Sequence, residues 1–359
     1  DPSRMVTCAC DNIASGTTAE AYREFENQLD VVGYNYVGRW RERAETLYEE
    51  DRKLFPDRRF CGSENPSAWS SIRGDYRPER NYIGATLDHE WLWRYTVSRD
   101  FVAGDYLWTG IDHLGEAMWP SRGALTGPID TAGFRKDTYY YFKSIWNQNE
   151  ITLHLLPHWN WEGEEGVFKQ VVAYTNCEEV ELYINGRLVG IRGYQCPNYG
   201  SRHVWNDRKI RYYTTHDLHL VWDVPYEPGE LKAVGYMDGK VVAETVVRTT
   251  GKPAALKAEA DREVIRVDVV SHIEVSAIDE NGLLVPDSTP VVRCEVEGPA
   301  HLVGMDSGDP FDHTLYCSPE RKMLAGRLLA MIMADGRGEI RVKFFSEGMK
   351  EAVVILRAE

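Results

Sequence analysis

Apolar runs in the first 110 residues alternate with polar, helix-forming stretches. Residues 29–36 and 101–108 read as strands that end in polar or aromatic side chains, and residues 41–54 between them are rich in Glu and Arg. Another apolar strand starts near Arg59 and ends on Glu64. Strands that alternate with helices and release polar residues at their carboxyl ends are typical of consecutive β/α units. In a (β/α)8 barrel, those ends form the active face.

After residue 146 short alternating strands replace this pattern. The next predicted strands cover residues 168–174, 180–184, 187–191, 219–224, 231–237 and 240–248. Asn185-Gly186 and Asp238-Gly239 separate neighbouring strands and are strong hairpin signals. The pattern predicts an all-β sandwich of about a hundred residues.

A second all-β pattern follows the linker Gly251-Lys252-Pro253. Its predicted strands cover residues 256–260, 264–267, 269–279, 291–296, 338–345 and 351–357. The pattern again indicates a sandwich. We therefore predict three domains, at residues 1–150, 151–251 and 252–359.

Composition and charge exclude some classes of partner. The 359-residue chain is 43% hydrophobic and 27% charged, with a net charge of −15. Such acidity leaves no basic patch to neutralise phosphates, which argues against nucleic acid or an anionic membrane as a partner. No apolar run reaches the roughly 18 to 20 residues of a membrane span. The seven scattered cysteines fit neither a disulfide framework nor a zinc site, and we predict no metal and no cofactor.

Glu64 is the first candidate for chemistry, because a lone carboxylate ends an apolar strand where a loop begins. A carboxylate can attack the anomeric carbon of a sugar and then be displaced by water, which splits one hard displacement into two easier ones. A Glu at a strand end can also be a solvated surface charge. Glu64 alone does not decide between these two interpretations.

Several motifs, in order, resemble the glycoside hydrolase family 2 β-galactosidases and their relatives. They are Asp1-Pro2-Ser3-Arg4, Val32-Gly33-Tyr34-Asn35-Tyr36, Gly62-Ser63-Glu64, Asp105-Tyr106-Leu107-Trp108-Thr109-Gly110-Ile111-Asp112, Ile129-Asp130-Thr131-Ala132-Gly133-Phe134-Arg135-Lys136-Asp137 and the closing Tyr139-Tyr140-Tyr141-Phe142-Lys143-Ser144-Ile145-Trp146. The resemblance implies a multidomain chain that is α/β at first and then all-β. It would hold the carboxyl-terminal half of a (β/α)8 TIM barrel, followed by two immunoglobulin-like β-sandwiches.

The resemblance also implies roles for individual residues. Glu64 would be the nucleophile, and the phenol of Tyr36 would hydrogen-bond to its carboxylate and hold it ionised and aimed. Trp108 would form an aromatic floor for the sugar, whose axial C–H groups pack well on a ring. The polar rim of the sugar site would comprise Asn35, Asp112 and His113. For Tyr36 and Trp108 the alternative interpretation is core packing at a barrel end.

The chain departs from the family pattern in the second carboxyl group. A retaining glycosidase needs an acid/base about 5 to 5.5 Å from the nucleophile, and in this family it is a Glu after an Asn at the end of the fourth barrel strand. This chain opens just before what resembles the fifth strand. Asn149-Glu150 lies beyond the last barrel helix and reads as a solvated linker charge. We therefore expect the acid/base in an upstream half of the same enzyme, and no activity from this chain alone.

The function that the resemblance implies is a retaining exo-β-glycosidase, with an oligosaccharide or β-galactoside as substrate. The alternative is the same chemistry on another sugar, such as a β-glucuronide or a β-mannoside. A glucuronidase would need a cationic contact for the sugar carboxylate, and Arg122, Arg135 and Lys136 lie in the right neighbourhood. A third interpretation is a non-catalytic fragment whose sandwiches bind carbohydrate or serve assembly. An exposed row of aromatics would favour this, and the candidates are Trp159, Trp161 and Trp205.

Other candidate sites carry weaker signals. The acidic run at residues 304–310 could bind calcium or simply form a turn, and His154 and His158 read as ordinary loop or strand histidines. The sandwiches could support a homo-oligomer. We expect the true amino terminus to be missing, so the location is left open, with a periplasmic or secreted bacterial protein favoured.

Overall fold

The computed structural model describes residues 3–10, 29–37, 46–65, 71–77, 84–194, 198–204, 208–214 and 218–359. The chain forms two compact units. Unit 1 comprises Asp1–Ser71 and Asn81–Gly110, and unit 2 comprises Ile72–Arg80 and Ile111–Glu359. The domain boundaries at residues 150 and 251 stay predictions.

Unit 1 contains a parallel sheet of four strands in the order β1-β2-β3-β4. The strands are β1 (Thr7–Cys10), β2 (Val31–Asn35), β3 (Phe60–Glu64) and β4 (Val102–Asp105), and the helices are α1 (Leu47–Leu54) after β2 and α2 (Gly84–Val97) after β3. Because parallel neighbours run in one direction, their carboxyl ends lie at one edge of the sheet. The strands predicted within residues 29–36 and 101–108 are confirmed, although both are shorter. Residues 41–45 of the predicted helix lie outside the described residues.

The core of unit 1 is aromatic. Ring centroids lie 5.6 Å apart for Tyr34 and Phe60, on β2 and β3, and 5.7 Å apart for Tyr34 and Tyr48 of α1. Tyr95 of α2 stacks on Tyr48 at 5.4 Å. The phenol of Tyr34 donates to the carboxylate of Asp51 on α1. The sheet and both helices therefore share one core, which fixes the positions of the strand ends.

Unit 2 begins with a short antiparallel pair and a helix. The pair is β5 (His113–Leu114) with β6 (Gly123–Ala124), and the helix is α3 (Asp137–Trp146). The helix packs on the following sheet, with the ring of Tyr141 centred 5.4 Å from that of Tyr174. A helix at the closing motif, residues 139–146, is confirmed. It begins two residues earlier, at Asp137, whose carboxylate lies in the first turn and suits the positive end of the helix dipole.

Two facing sheets follow. The strands are β7 (Leu153–Leu156), β8 (Phe168–Thr175), β9 (Glu179–Ile184), β10 (Arg187–Gly193), β11 (Asn198–Val204), β12 (Arg208–Thr214), β13 (Leu220–Pro225), β14 (Glu230–Met237) and β15 (Lys240–Arg248). One sheet has the order β13-β8-β7 and the other β10-β9-β14-β15, while β11 and β12 form a separate hairpin. Buried side chains of both sheets form one hydrophobic core.

Both hairpins predicted in this region are confirmed. The strands that flank Asn185-Gly186 pair antiparallel, as do those that flank Asp238-Gly239. All four turn residues have positive φ, between 49° and 78°. That backbone matches a turn whose twist suits the flanking strands, and Asn, Asp and Gly tolerate it. The sequence analysis missed β7, β11 and β12.

The last part of the chain also pairs two sheets. The strands are β16 (Ala255–Ala260), β17 (Val264–Ile265), β18 (Val270–Ile278), β19 (Val291–Glu297), β20 (Ala300–Asp306), β21 (Glu320–Lys322), β22 (Arg327–Ala334), β23 (Gly338–Phe345) and β24 (Ala352–Ala358). The sheet orders are β16-β18-β22-β20 and β17-β24-β23-β19-β21, around one core. The sequence analysis missed β20, β21 and β22. Among the described residues, no helix is both long and apolar enough to cross a membrane.

Candidate active site

Three of the predicted site residues meet at the carboxyl edge of the unit 1 sheet. Glu64 is the last residue of β3, while Asn35 and Tyr36 lie at the end of β2. The phenol of Tyr36 donates to Oε1 of Glu64, and Nδ2 of Asn35 donates to Oε2 across 3.3 Å. Both carboxylate oxygens therefore accept a hydrogen bond. Such bonds favour the ionised form of a carboxylate and fix its direction.

The backbone of Tyr36 is in the left-handed region, with φ at 50°. For a residue with a bulky side chain this conformation is uncommon. The amide of Tyr36 donates to the carbonyl of Glu64 across 3.0 Å, so the two residues are joined through backbone as well as side chain. The turn of the chain at Tyr36 thus accompanies the contact between its phenol and the carboxylate.

Ser63 and Gly33 set the orientation of Asn35. Oγ of Ser63 donates to Oδ1 of Asn35 across 2.7 Å, which leaves the amide nitrogen facing Glu64. A Cβ on Gly33 would lie 2.6 Å from both Cβ and Oγ of Ser63 and 2.8 Å from the carbonyl oxygen of Cys8. A glycine is therefore required where Ser63 reaches over β2. Sequence reasoning found Asn35 but not these two supporting residues.

A second group of side chains starts at Asn65, the residue after Glu64, and sequence reasoning missed it. Nδ2 of Asn65 donates to Oδ1 of Asp105 across 2.6 Å, and Oδ1 of Asn65 accepts the backbone amide of Val37 at 3.0 Å. The hydroxyl of Thr96 donates to the other Asp105 oxygen across 2.7 Å. Burial raises the pKa of Asp105 to about 6, although both hydrogen bonds oppose the shift.

The remaining predicted site residues lie in different places. Trp108 belongs to unit 1, is half-buried and follows the end of β4 by three residues, with a cis peptide bond to Thr109. Asp112 and His113 belong to unit 2. The Asp112 carboxylate is 2.6 Å from Nζ of Lys136 and accepts the amide of Gly127 at 2.9 Å. The buried ion pair with Lys136 therefore gives the Asp112 carboxylate a structural role inside unit 2.

The predicted cationic candidates differ in their availability. Lys136 is buried against Asp112, and Arg122 donates to Asp306 across 2.7 Å. Arg135 is exposed, with its guanidinium 4.7 Å from the ring centre of Tyr139. Two of the three cations are therefore already paired with carboxylates inside unit 2.

The weaker candidate sites have local explanations. Asp306 accepts from Arg122 and from the hydroxyl of Thr131 at 2.7 Å, so its carboxylate is engaged in a way that does not point to calcium. No group of three or more metal-ligating side chains occurs among the residues that the structure describes. His154 lies 2.7 Å from Asp137, as expected of an ordinary strand histidine. Glu150 is exposed and pairs with Lys143 at 2.8 Å, in keeping with a linker charge.

The predicted row of exposed aromatics is not present at Trp159. Its side chain is fully buried in the core of the β7–β15 module, and its indole N–H donates to the carbonyl of Glu227 across 2.9 Å. Trp161 is half-buried and packs against the same core. Trp205 lies outside the described residues. Burial of Trp159 favours a structural role for that part of the row.

Two family models match the all-β part of the chain. Residues 256–355 match the model described as glycoside hydrolase family 2 C-terminal domain 5. Residues 166–243 match a domain of unknown function (DUF4982). Both matches lie within the modules of facing sheets.

Curated relatives extend the match over the whole chain. The chain is 32% identical over 392 residues to beta-galactosidase BoGH2A of Bacteroides ovatus, an alignment that covers 100% of this chain and 42% of that protein. It is 29% identical over 267 residues to a putative beta-glucuronidase of Formosa agariphila, which covers 71% of this chain and 24% of that protein. The chain therefore spans less than half the length of these relatives.

Solved structures of similar fold also match nearly the whole chain. The crystal structure of a beta-glycosidase from Bacteroides vulgatus matches with a TM-score of 0.78 and 23% identity, covering 98% of this chain and 50% of that one. A glycosyl hydrolase family 2 member from Bacteroides cellulosilyticus matches with a TM-score of 0.77 and 25% identity, covering 99% and 44%. The first of these likenesses concerns the fold alone.

Proposed function

The chain belongs to glycoside hydrolase family 2, and from this membership we propose that it carries the nucleophile of a retaining exo-β-glycosidase that acts on β-galactosides. The observation that carries the proposal is the contact of Glu64 with Tyr36 and Asn35 at the carboxyl edge of a parallel sheet. The sheet of unit 1 would belong to the carboxyl-terminal half of a (β/α)8 barrel. The two modules of facing sheets would be immunoglobulin-like sandwiches.

The proposed reaction is a double displacement. A carboxylate oxygen of Glu64 bonds to the anomeric carbon as the bond to the leaving oxygen breaks, and that oxygen takes a proton from an acid/base Glu upstream of this chain. Water then attacks the same carbon, gives a proton to the acid/base, and the bond to Glu64 breaks. Tyr36 and Asn35 keep the carboxylate ionised and directed before the attack.

The sugar would rest on Trp108, with Asn35 at its rim, while Asp112 and His113 stay rim residues that only the family resemblance implies. An aromatic ring with a few polar groups around it is the lining that a sugar requires. The Asp112 carboxylate already accepts from Lys136 and from the amide of Gly127. This favours a role for Asp112 in positioning other residues. The surfaces of the two sandwiches would be the contacts of a homo-oligomer.

The second candidate function is a β-glucuronidase, because relatives that carry that name also match. Recognition of the sugar carboxylate calls for an available cation. Lys136 and Arg122 are already paired with Asp112 and Asp306, which favours a neutral sugar. Exposed Arg135 is the candidate from this chain for the glucuronide alternative.

The deciding experiment traps the covalent intermediate. The chain is incubated, alone and together with the upstream part of its enzyme, with 2-deoxy-2-fluoro-β-galactosyl fluoride and with its glucuronyl analogue. Intact and peptide masses then locate the label. We expect a galactosyl adduct on the peptide that contains Glu64, and none in Glu64→Gln.

Each other outcome removes a part of the proposal. Labelling of a different residue, or equal labelling of Glu64→Gln, would remove Glu64 from the mechanism. Labelling by the glucuronyl reagent alone would replace the galactoside with a glucuronide. If the combined parts hydrolyse no β-glycoside and take no label, the glycosidase proposal fails.

A further inference from the structure

The side chain of Asn65 joins the ends of three strands of the unit 1 sheet. Its carbonyl oxygen accepts the amide of Val37, just after β2, and its amide nitrogen donates to Asp105 at the end of β4. Asn65 itself follows the last residue of β3. We name Asn65, Asp105 and Thr96, with the Val37 amide, the strand-end bracket.

The bracket adds side-chain hydrogen bonds at the strand ends, where backbone bonds also continue past the regular ladder. Beyond the β3–β4 ladder, the backbone amide of Tyr106 donates to the carbonyl of Gly62 at 2.8 Å, and the backbone amide of Asn65 donates to the carbonyl of Tyr106 at 3.2 Å. A Cβ on Gly62 would lie 2.0 Å from both Nδ2 of Asn65 and Oδ1 of Asp105. The bracket therefore occupies the space that a side chain at position 62 would need, and it is packed against the strand itself.

The bracket is one residue away from both members of the Tyr36–Glu64 pair. Val37 follows Tyr36, and Asn65 follows Glu64. A single amide side chain thus fixes the backbone immediately after each of them. Tyr36 has positive φ, a conformation that persists only where the surroundings hold it. The hydrogen bond from Val37 to Asn65 is one such constraint.

We propose that Asp105 is a positioning residue for the nucleophile, acting through Asn65 on the geometry of the Tyr36–Glu64 pair. The ionised Asp105 carboxylate accepts from Asn65 and Thr96 in charge-assisted bonds, which are stronger than neutral ones. These bonds orient the Asn65 amide, so that its oxygen faces Val37. The proposal rests on the proposed role of Glu64.

The charge of Asp105 changes close to neutral pH, because burial raises its pKa to about 6. Among the described residues, Tyr48 of α1 and Cys61 of β3 are titratable groups that interact with Asp105 from the packed elements. Burial raises the pKa of both, so both are neutral near pH 6. The other two contacts, Asn65 and Thr96, do not titrate. As pH falls through 6, Asp105 takes up a proton and its bonds become neutral ones.

The test compares variants of Asp105 in the assembled enzyme. Asp105→Asn keeps the size and resembles the protonated state, so we expect kcat several-fold below wild type at pH 7.5. Wild type should lose activity as pH falls through 6, and Asp105→Asn should lack that step. Asp105→Ala removes the acceptor and should lower kcat by about 10- to 100-fold, with a smaller change in KM, because a misplaced nucleophile slows the chemical step.

Asp51→Asn is the matched control, since Asp51 is also a buried Asp of unit 1 and accepts from the Tyr34 phenol, which is not part of the strand-end bracket. It should leave the step at pH 6 unchanged. The proposal is overturned if Asp105→Asn keeps both the wild-type kcat and the step, or if Asp51→Asn removes the step equally. If wild type itself is inactive and takes no fluorosugar label, the proposed function has failed instead.

Discussion

At the scale of single residues, Tyr36 links a backbone constraint to a catalytic contact. A non-glycine residue in the left-handed region costs about 1–3 kcal/mol, and here φ is 50°. The same residue donates its phenol to Glu64 and its backbone amide to the Glu64 carbonyl. The unfavourable backbone conformation therefore accompanies the contact that directs the Tyr36 phenol at the proposed nucleophile.

Tyr36→Phe should slow the reaction without unfolding unit 1. The change removes one oriented hydrogen bond to Glu64 and keeps the ring, so kcat should fall by about 10- to 100-fold, because a less well-aimed nucleophile slows the chemical step. Steady-state kinetics and circular dichroism of the assembled enzyme measure both effects. Unfolding of the variant would instead support the interpretation of Tyr36 as a packing residue.

The sequence could predict the site only as far as local motifs reach. Glu64, Tyr36 and Asn35 each stand at the end of an apolar run, and parallel strands bring such ends together. Asp105 and Asn65 are 40 residues apart. Asn65 precedes a proline and resembles an ordinary turn residue, so nothing near it in the chain indicates a partner on β4.

At the scale of elements, prediction succeeded where the signal was local. Asn-Gly and Asp-Gly demand positive φ, and this is enough to place a hairpin. It failed for β22, which is apolar at nearly every position but alternates between buried and half-buried residues. β22 lies between β18 and β20 in its sheet, so the side chains of both neighbours flank its outward-facing residues and leave them half-buried. Apolar residues can therefore stand on both faces of β22, and the polar alternation that would mark a strand is absent.

Gly33→Ala tests how closely β2 and β3 must approach. The new methyl group would lie 2.6 Å from Ser63 Oγ and 2.8 Å from the Cys8 carbonyl oxygen, so it should push Ser63 away from Asn35. We expect unit 1 to be destabilised by about 1–3 kcal/mol, as overpacking typically does. Hydrogen exchange of the β2 and β3 amides measures the loss.

Gly190→Ala is the control for that change. Gly190 also lies in a strand, but its new Cβ would meet nothing closer than 3.6 Å, which is ordinary contact. It should leave amide exchange in its strand nearly unchanged. Equal effects of the two substitutions would show that the general cost of replacing a strand glycine, rather than the approach of Ser63, explains the result.

At the scale of the whole molecule, Arg73 joins parts of unit 2 that are far apart in sequence. Its guanidinium donates to Asp130, to the carbonyl of Leu324 and to the carbonyl of Ser307 at 2.7 to 2.8 Å. The last two partners lie 251 and 234 residues away. Periodicity and turn signals carry no information on pairings at this separation, so the sequence predicted the elements of unit 2 but not this network.

Arg73→Met should destabilise unit 2 strongly, because it leaves the Asp130 carboxylate buried without its cation. Asp130 is 1% exposed, and breaking a buried ion pair from one side costs about 3–5 kcal/mol. Adding Asp130→Asn should recover part of this loss, since the uncompensated charge disappears while the amide oxygen can still accept from the Phe134 backbone. Amide exchange in residues 129–136 and 324–327 reports the opening.

The control for Arg73 is Arg77, whose pair with Asp75 is exposed on the arginine side. Because the Arg77 guanidinium is open to water, which screens its charge, we expect this pair to contribute about 0–1 kcal/mol. Arg77→Met should therefore change exchange in the same segments very little. If Arg73→Met and Arg77→Met behave alike, or if Asp130→Asn adds to the damage, the uncompensated charge of Asp130 does not set the stability of unit 2. If Arg73→Met is damaging and Asp130→Asn adds to the damage, the loss of the guanidinium's bonds to the Ser307 and Leu324 carbonyls is the larger cost.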